Sequence, residues 1–239
     1  MRSDEATMGF QFAPAELTAP APSAALLERV NGAKRVRTRT PLLALLAVAG
    51  IAAAYPLYAL LAFPLRADLP GLPPLWFAAI GLLWLGGCVL PLARALLPAR
   101  RQVLPDAAAA GRAALLTAAA LIAVGLLLTV DAPQTLVPPR TWGAFAHYWW
   151  HCISFGMRIE IPAVVAGAIA LRPLAPIGPG RLGAAVGAAG GALAGLTLHG
   201  LCPFGGALHV GLAHGGGIVV GALLGAAAVR ILAALPTKR

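Results

Sequence analysis

The residues of this chain most capable of chemistry are four that lie close together near its C-terminal end. His199, Cys202, His209 and His214 form the pattern His-x2-Cys-Pro-x5-His-x4-His. Neutral imidazoles and a thiolate are ligands for zinc- or copper-type ions, so the spacing raises a metal site, with Glu160 or Cys152 as a further ligand. A second chemistry is open to the same residues. Cys152 and Cys202 would make a redox pair in an oxidising compartment if the fold brought them together. A third reading needs no chemistry, with histidines and small residues capping a tightly packed hairpin. His147 and His151 fall at the same end as the others and join Cys152 and Cys202 as sensing candidates.

The elements that must position these residues are apolar. Hydrophobic residues make up 59% of the 239 and charged residues 11%, and the mean hydropathy is +0.83. A soluble domain would carry about 25% charge, so the pattern demands lipid as the solvent. Six segments have spanning length: about 42–63, 75–93, 113–130, 152–171, 181–201 and 208–231. The last two make a hairpin with glycines stepping by four, Gly183 to Gly195 and Gly217 to Gly225. That spacing leaves a groove without side chains, in which two helices in lipid approach closely.

The net charge of +10 is sorted along the chain. All but three of the Lys and Arg residues lie before span one, between spans two and three, in or at the edge of the connection between spans four and five, or at and beyond the end of span six. Arg66, Arg140 and Arg158 are the exceptions. The positive-inside rule therefore predicts an all-α membrane protein with six spans and both termini in the cytoplasm. It also explains the charge without a nucleic acid partner. The first twenty residues have no apolar core after a basic start, so no cleavable signal peptide is expected.

Residues 1–40 read as a cytoplasmic arm, 41–235 as the transmembrane domain and 236–239 as a short cytoplasmic tail. Within the arm, Ser23 and Gly32 bracket a short amphipathic helix. Leu26, Leu27 and Val30 would anchor a partner, with Arg29, Lys34 and Arg35 as a basic rim. In span four, Arg158 and Glu160 would lie roughly 9–12 Å below the belt of Trp149 and Trp150, at about 1.5 Å per residue. Intramembrane charge is functional by default. Alternatively, Pro162 breaks the span there and lets water or headgroups reach both. No nucleotide loop, dinucleotide fingerprint or Ser/His/Asp set is present, so no enzyme is expected.

Several of these stretches together resemble a known family. They are Trp150-His151-Cys152 opening span four, Pro162, and Leu171-Arg172-Pro173-Leu174-Ala175-Pro176. The glycine row from Gly183, Leu201-Cys202-Pro203, the glycine-rich last span and the run Ala25-Leu26-Leu27 to Val36 complete the set. This is similar to the NrsF-like membrane anti-sigma factors, over about residues 23–230. The resemblance implies a bacterial inner-membrane protein that sequesters a sigma factor of the extracytoplasmic-function type at its cytoplasmic face. An envelope, oxidative or light signal would release it, and regulators of carotenoid synthesis fall within the same resemblance. The chain departs from the family pattern in placing Leu201 before Cys202, in replacing acidic residues after Cys-Pro by Phe204-Gly205-Gly206, and in adding His209 and His214. A reading outside that family is a small metal-ion or solute transporter using the same His/Cys site.

Overall fold

The computed structural model describes residues 41–98, 104–133, 135–136, 141–172 and 178–235. The proposed arm, with Leu26, Leu27, Arg29, Val30, Lys34 and Arg35, lies outside the described residues. Helix α1 spans Pro41–Ala62, α2 Pro74–Leu96, α3 Ala107–Leu127, α4 Trp142–Leu171, α5 Pro179–Leu201 and α6 Gly215–Ala234. A 3-10 turn, Leu69–Gly71, separates α1 from α2, and a π-helical turn, His209–His214, leads directly into α6. The fold is all-α, with six helices long and apolar enough to cross a membrane. A helix meets its own backbone hydrogen-bonding needs, which is what a span in lipid requires.

Two helices begin earlier than the hydropathy alone suggests. Helix α3 starts at Ala107 because the Asp106 carboxylate caps it, accepting from the Ala108 and Ala109 N–H groups at 2.8 and 3.0 Å. Helix α4 starts at Trp142 and runs 30 residues, ten residues before the expected opening at 152. It also passes through Pro162 without a break, so the reading in which Pro162 ends the span fails. A spanning helix tolerates such a proline because neighbouring groups re-satisfy the freed carbonyl.

Helix α5 is the axis of the bundle. Its glycine row meets that of α6 backbone to backbone. A Cβ placed on Gly183 would strike the Gly225 carbonyl, and one on Gly187 the Gly221 carbonyl. A Cβ on Gly191 would lie 2.8 Å from the Ile218 nitrogen. The row does not end as the sequence suggests. Gly195 makes room for the Trp84 indole of α2, not for α6. On another side, Val186 fills the notch at Gly167 of α4.

The contacts define two ends. At one, which may be named the tip end, the α1–α2 and α3–α4 connections meet the α5–α6 connection. At the other, the Arg181 stem covers Gly111 at the start of α3. There Gly180 also leaves space for the Arg230 guanidinium. The described basic residues Arg94, Arg112, Arg172, Arg181 and Arg230 fall toward this second end, whereas Arg66 sits at the tip end.

Candidate functional site

Helix α5 ends at Leu201, and Cys202 follows with its N–H donated to the Leu198 carbonyl at 2.8 Å. The chain turns through Pro203–Gly206 and re-enters helical structure. There it adopts the wider π register over His209–His214. In an α-helix, residues five apart sit about 140° around the axis from each other. The π register, bonded i to i+5, stacks them instead. The His209 and His214 rings are thereby brought to 5.2 Å between centroids. Glycines allow α3 to support this turn closely: a Cβ on Gly125 would lie 2.8 Å from the Gly211 nitrogen, and one on Gly215 2.8 Å from Ile122 Cγ1. Trp149 of α4 donates its indole N–H to the Leu212 carbonyl at 3.1 Å.

Four side chains converge here. Cys152 Sγ lies 3.6 Å from Cys202 Sγ and 3.5 Å from His209 Nε2. Cys202 Sγ lies 3.6 Å from the same nitrogen. With His214, the four offer ligand atoms all within 4.8 Å of one another, and all four residues are buried. His209 Nδ1 and His214 Nε2 are buried with no hydrogen-bond partner. Phe204 covers the group, its ring 5.8 Å from His209 and 4.4 Å from Tyr148. The neighbouring Cys152 thiol holds Cys202 well below the usual cysteine range, against the upward pull of burial; His209 and His214 act in the same direction. The arrangement can therefore supply thiolate and imidazole ligands to a metal. Given an oxidant that takes up two electrons, the two thiols can also lose their protons and form a disulfide, the sulfurs closing from 3.6 Å to about 2.05 Å.

His199 is not brought to this group. It faces α2, where its ring stacks on Phe77 at 4.3 Å and its Nε2 meets the Phe77 carbonyl at 3.0 Å. The place given to it by sequence spacing is taken by Cys152, which α4 carries in from a remote part of the chain. His147 and His151 are exposed on α4 near the tip end and stand outside the cluster.

A latch of one ion pair and several hydrogen bonds surrounds the tip. Arg66 makes a two-pronged ion pair with Asp68, Nε to Oδ1 at 2.5 Å and Nη2 to Oδ2 at 2.7 Å. Both side chains are buried. Arg66 also donates its backbone N–H to the Gly200 carbonyl at 3.0 Å and Nη1 to the His199 carbonyl at 3.4 Å. A cation is thus held at the C-terminus of α5, where the helix dipole favours it. Thr135 donates its hydroxyl to Asp68 Oδ2. Leu136 exchanges backbone hydrogen bonds with Pro203 and Gly205 at 3.0 and 2.9 Å, and Asp131 accepts from the Gly206 N–H at 3.0 Å. The only signal for this in the sequence was a pair of opposite charges two residues apart in an otherwise apolar connection.

A family model described as "NrsF: Negative regulator of sigma F" matches residues 29–234. The chain belongs to the NrsF family. No curated protein and no solved structure matches it. The NrsF match takes in all six spanning helices, the latch and the four-residue cluster.

Within this NrsF-family bundle the two charges of α4 part company. Arg158 is exposed, while Glu160 is 1% exposed. The Glu160 carboxyl faces the glycine row of α6 and not the tip. A Cβ on Gly217 would lie 3.2 Å from Oε1, and one on Gly221 3.0 Å from Oε2. Oε2 has no hydrogen-bond partner. Apart from Thr117 and Glu160, the buried polar side chains among the described residues gather toward the tip end. They do not form the continuous polar route that a transporter needs.

Proposed function

We propose that this chain is an anti-sigma factor of the bacterial inner membrane, with both termini in the cytoplasm. Its arm, residues 1–40, would hold a sigma factor of the extracytoplasmic-function type away from polymerase. Leu26, Leu27 and Val30 serve as apolar anchors, and Arg29, Lys34 and Arg35 as the basic rim. The observation that carries this reading is the family match across residues 29–234, whose description names negative regulation of a sigma factor. Basic residues concentrated toward one end of the bundle support the orientation, because short cytoplasmic connections retain Lys and Arg.

In this orientation the Cys/His tip faces the periplasm, the compartment where thiol chemistry responds to oxidants. A signal shifts an equilibrium only through differential affinity for two states. The tip has the means for this, since any change at Cys152 and Cys202 acts on the joint between α4 and the α5–α6 hairpin. Envelope stress, oxidants and light are the stimuli to test, with carotenoid synthesis as the output for light.

Co-purification from membranes tests the reading. The full chain should retain a sigma factor, and deletion of residues 1–40 should abolish retention. Undiminished retention by the deletion variant would remove the arm from the mechanism.

A further inference from the structure

We propose that Cys152, Cys202, His209 and His214 form a four-coordinate zinc site that pins α4 to the tip of the α5–α6 hairpin. The inference stands on the geometry of these side chains alone and does not require the sigma-factor reading.

Zinc binds thiolate at about 2.3 Å and imidazole nitrogen at about 2.0–2.1 Å, in a tetrahedron. Those bond lengths set the edges of the ligand tetrahedron: about 3.8 Å for sulfur to sulfur and about 3.6 Å for sulfur to nitrogen. The observed edges are 3.6 Å between the sulfurs, and 3.5 and 3.6 Å from each sulfur to His209 Nε2. Three ligands thus already stand at the corners of one face of the tetrahedron. His214, within 4.8 Å of the others, supplies the fourth corner by a small side-chain adjustment.

The imidazoles are also under-used. Buried polar atoms are nearly always hydrogen-bonded, and an orphan calls for an explanation. His214 is 4% exposed and its Nε2 has no partner. The π turn reinforces this, because it is the local distortion that turns His214 to the same side as His209. Such turns inside helices are common at functional sites.

The charges of such a site also balance. When the two thiols bind zinc they lose their protons to solvent, and two thiolates neutralise the divalent ion. The loaded site is then neutral, which suits a buried position where an unbalanced charge would be expensive. The same count selects zinc over copper(I), which would leave a net negative charge among apolar side chains.

The test uses the full-length chain in detergent micelles, reduced, stripped of metal and titrated with cobalt(II), a spectroscopic stand-in for zinc. One equivalent should produce tetrahedral d–d absorption with sulfur-to-cobalt charge transfer, and zinc should displace it. His209→Ala and His214→Ala should each weaken binding by at least about tenfold, since even outer-shell partners cost that much. The variant His147→Ala/His151→Ala, altered at the two exposed histidines nearby, should bind like the parent. Cysteine variants risk misfolding, so the unmodified chain provides a second readout. Zinc should protect Cys152 and Cys202 from alkylation while leaving the rate at Cys88 unchanged. Absence of tetrahedral cobalt bands would overturn the proposal, as would unchanged alkylation of Cys152 and Cys202 with zinc. A reduced chain that takes no metal and, on addition of a thiol oxidant such as diamide, gives up two electrons and two protons to form a Cys152–Cys202 disulfide would overturn it as well. None of these readouts involves a sigma factor, so failure here and failure of sigma binding are separable.

Discussion

Helices α1 and α5 have similar lengths and are both apolar, yet the bundle uses them in opposite ways. Of the most apolar stretch of α5, 83% is buried, against 22% of that of α1. Helix α1 turns Leu42, Leu43, Leu46, Ile51, Leu57 and Leu61 outward, while α5 presents glycine and alanine to the five other helices. In water such large apolar side chains would be the ones to bury. In lipid there is no such gain, because acyl chains are as apolar as leucine. What remains is the closeness of backbone approach, and that belongs to the smallest residues. The contrast teaches that, between these two helices, side-chain size and not hydrophobicity decides which one lies inside.

The strongest way to break the contrast is to give the seam a side chain. Gly187→Leu or Gly221→Leu would drive carbon atoms into the facing backbone. Either should cost on the order of 4 kcal/mol or more and remove the monodisperse folded fraction on size exclusion. A variant that elutes and melts like the parent would refute the seam as the organising contact.

The next largest effect lies where α1 is tied to α5. Asp68→Ala leaves the Arg66 guanidinium buried without its partner, at a cost of about 3 kcal/mol, visible as a lower midpoint in thermal unfolding. The pH dependence has a definite sign. Desolvation pushes the Asp68 carboxyl up, but Arg66 and Thr135 outweigh it and hold the group below its ordinary 3.8. Its contribution is therefore complete above the unfolded value and lost as pH falls through the lower folded one. The gap between parent and variant should close in acid, and a gap independent of pH would argue against the ion pair.

The smallest effect sharpens the comparison from the other side. A Cβ on Gly50 of α1 meets nothing within 4 Å. Gly50→Ala should therefore be neutral, or raise stability by up to about 1 kcal/mol through the better helix former. Destabilisation would mean that α1 has a packed face at Gly50.

The latch and the cluster differ in how far they could be read in advance. The glycine rows were legible because a four-residue period on a helix marks one face, whatever the neighbour. Gly183 and Gly187 do meet Gly225 and Gly221. Spacing did not place His199, since it says which face of a helix a residue occupies but not which helix lies against it. There the neighbour is α2, with Phe77. Cys152 and Cys202 were separable candidates in the sequence, fifty residues apart, and nothing local could set the distance between their sulfurs. The role of Asp68 was not legible in the sequence because its burial depends on Thr135 and on the end of α5, both remote in the chain.

By itself, then, the sequence determined six spans, a basic end and a close-packed glycine hairpin, because each follows from composition or from a short period along one helix. Tertiary structure alone decided that Cys152 joins Cys202, His209 and His214 while His199 turns away. The physical reason is twofold: a π register rotates His214 beside His209, and the crossing of α4 over the hairpin tip is fixed by packing between helices that no local pattern encodes.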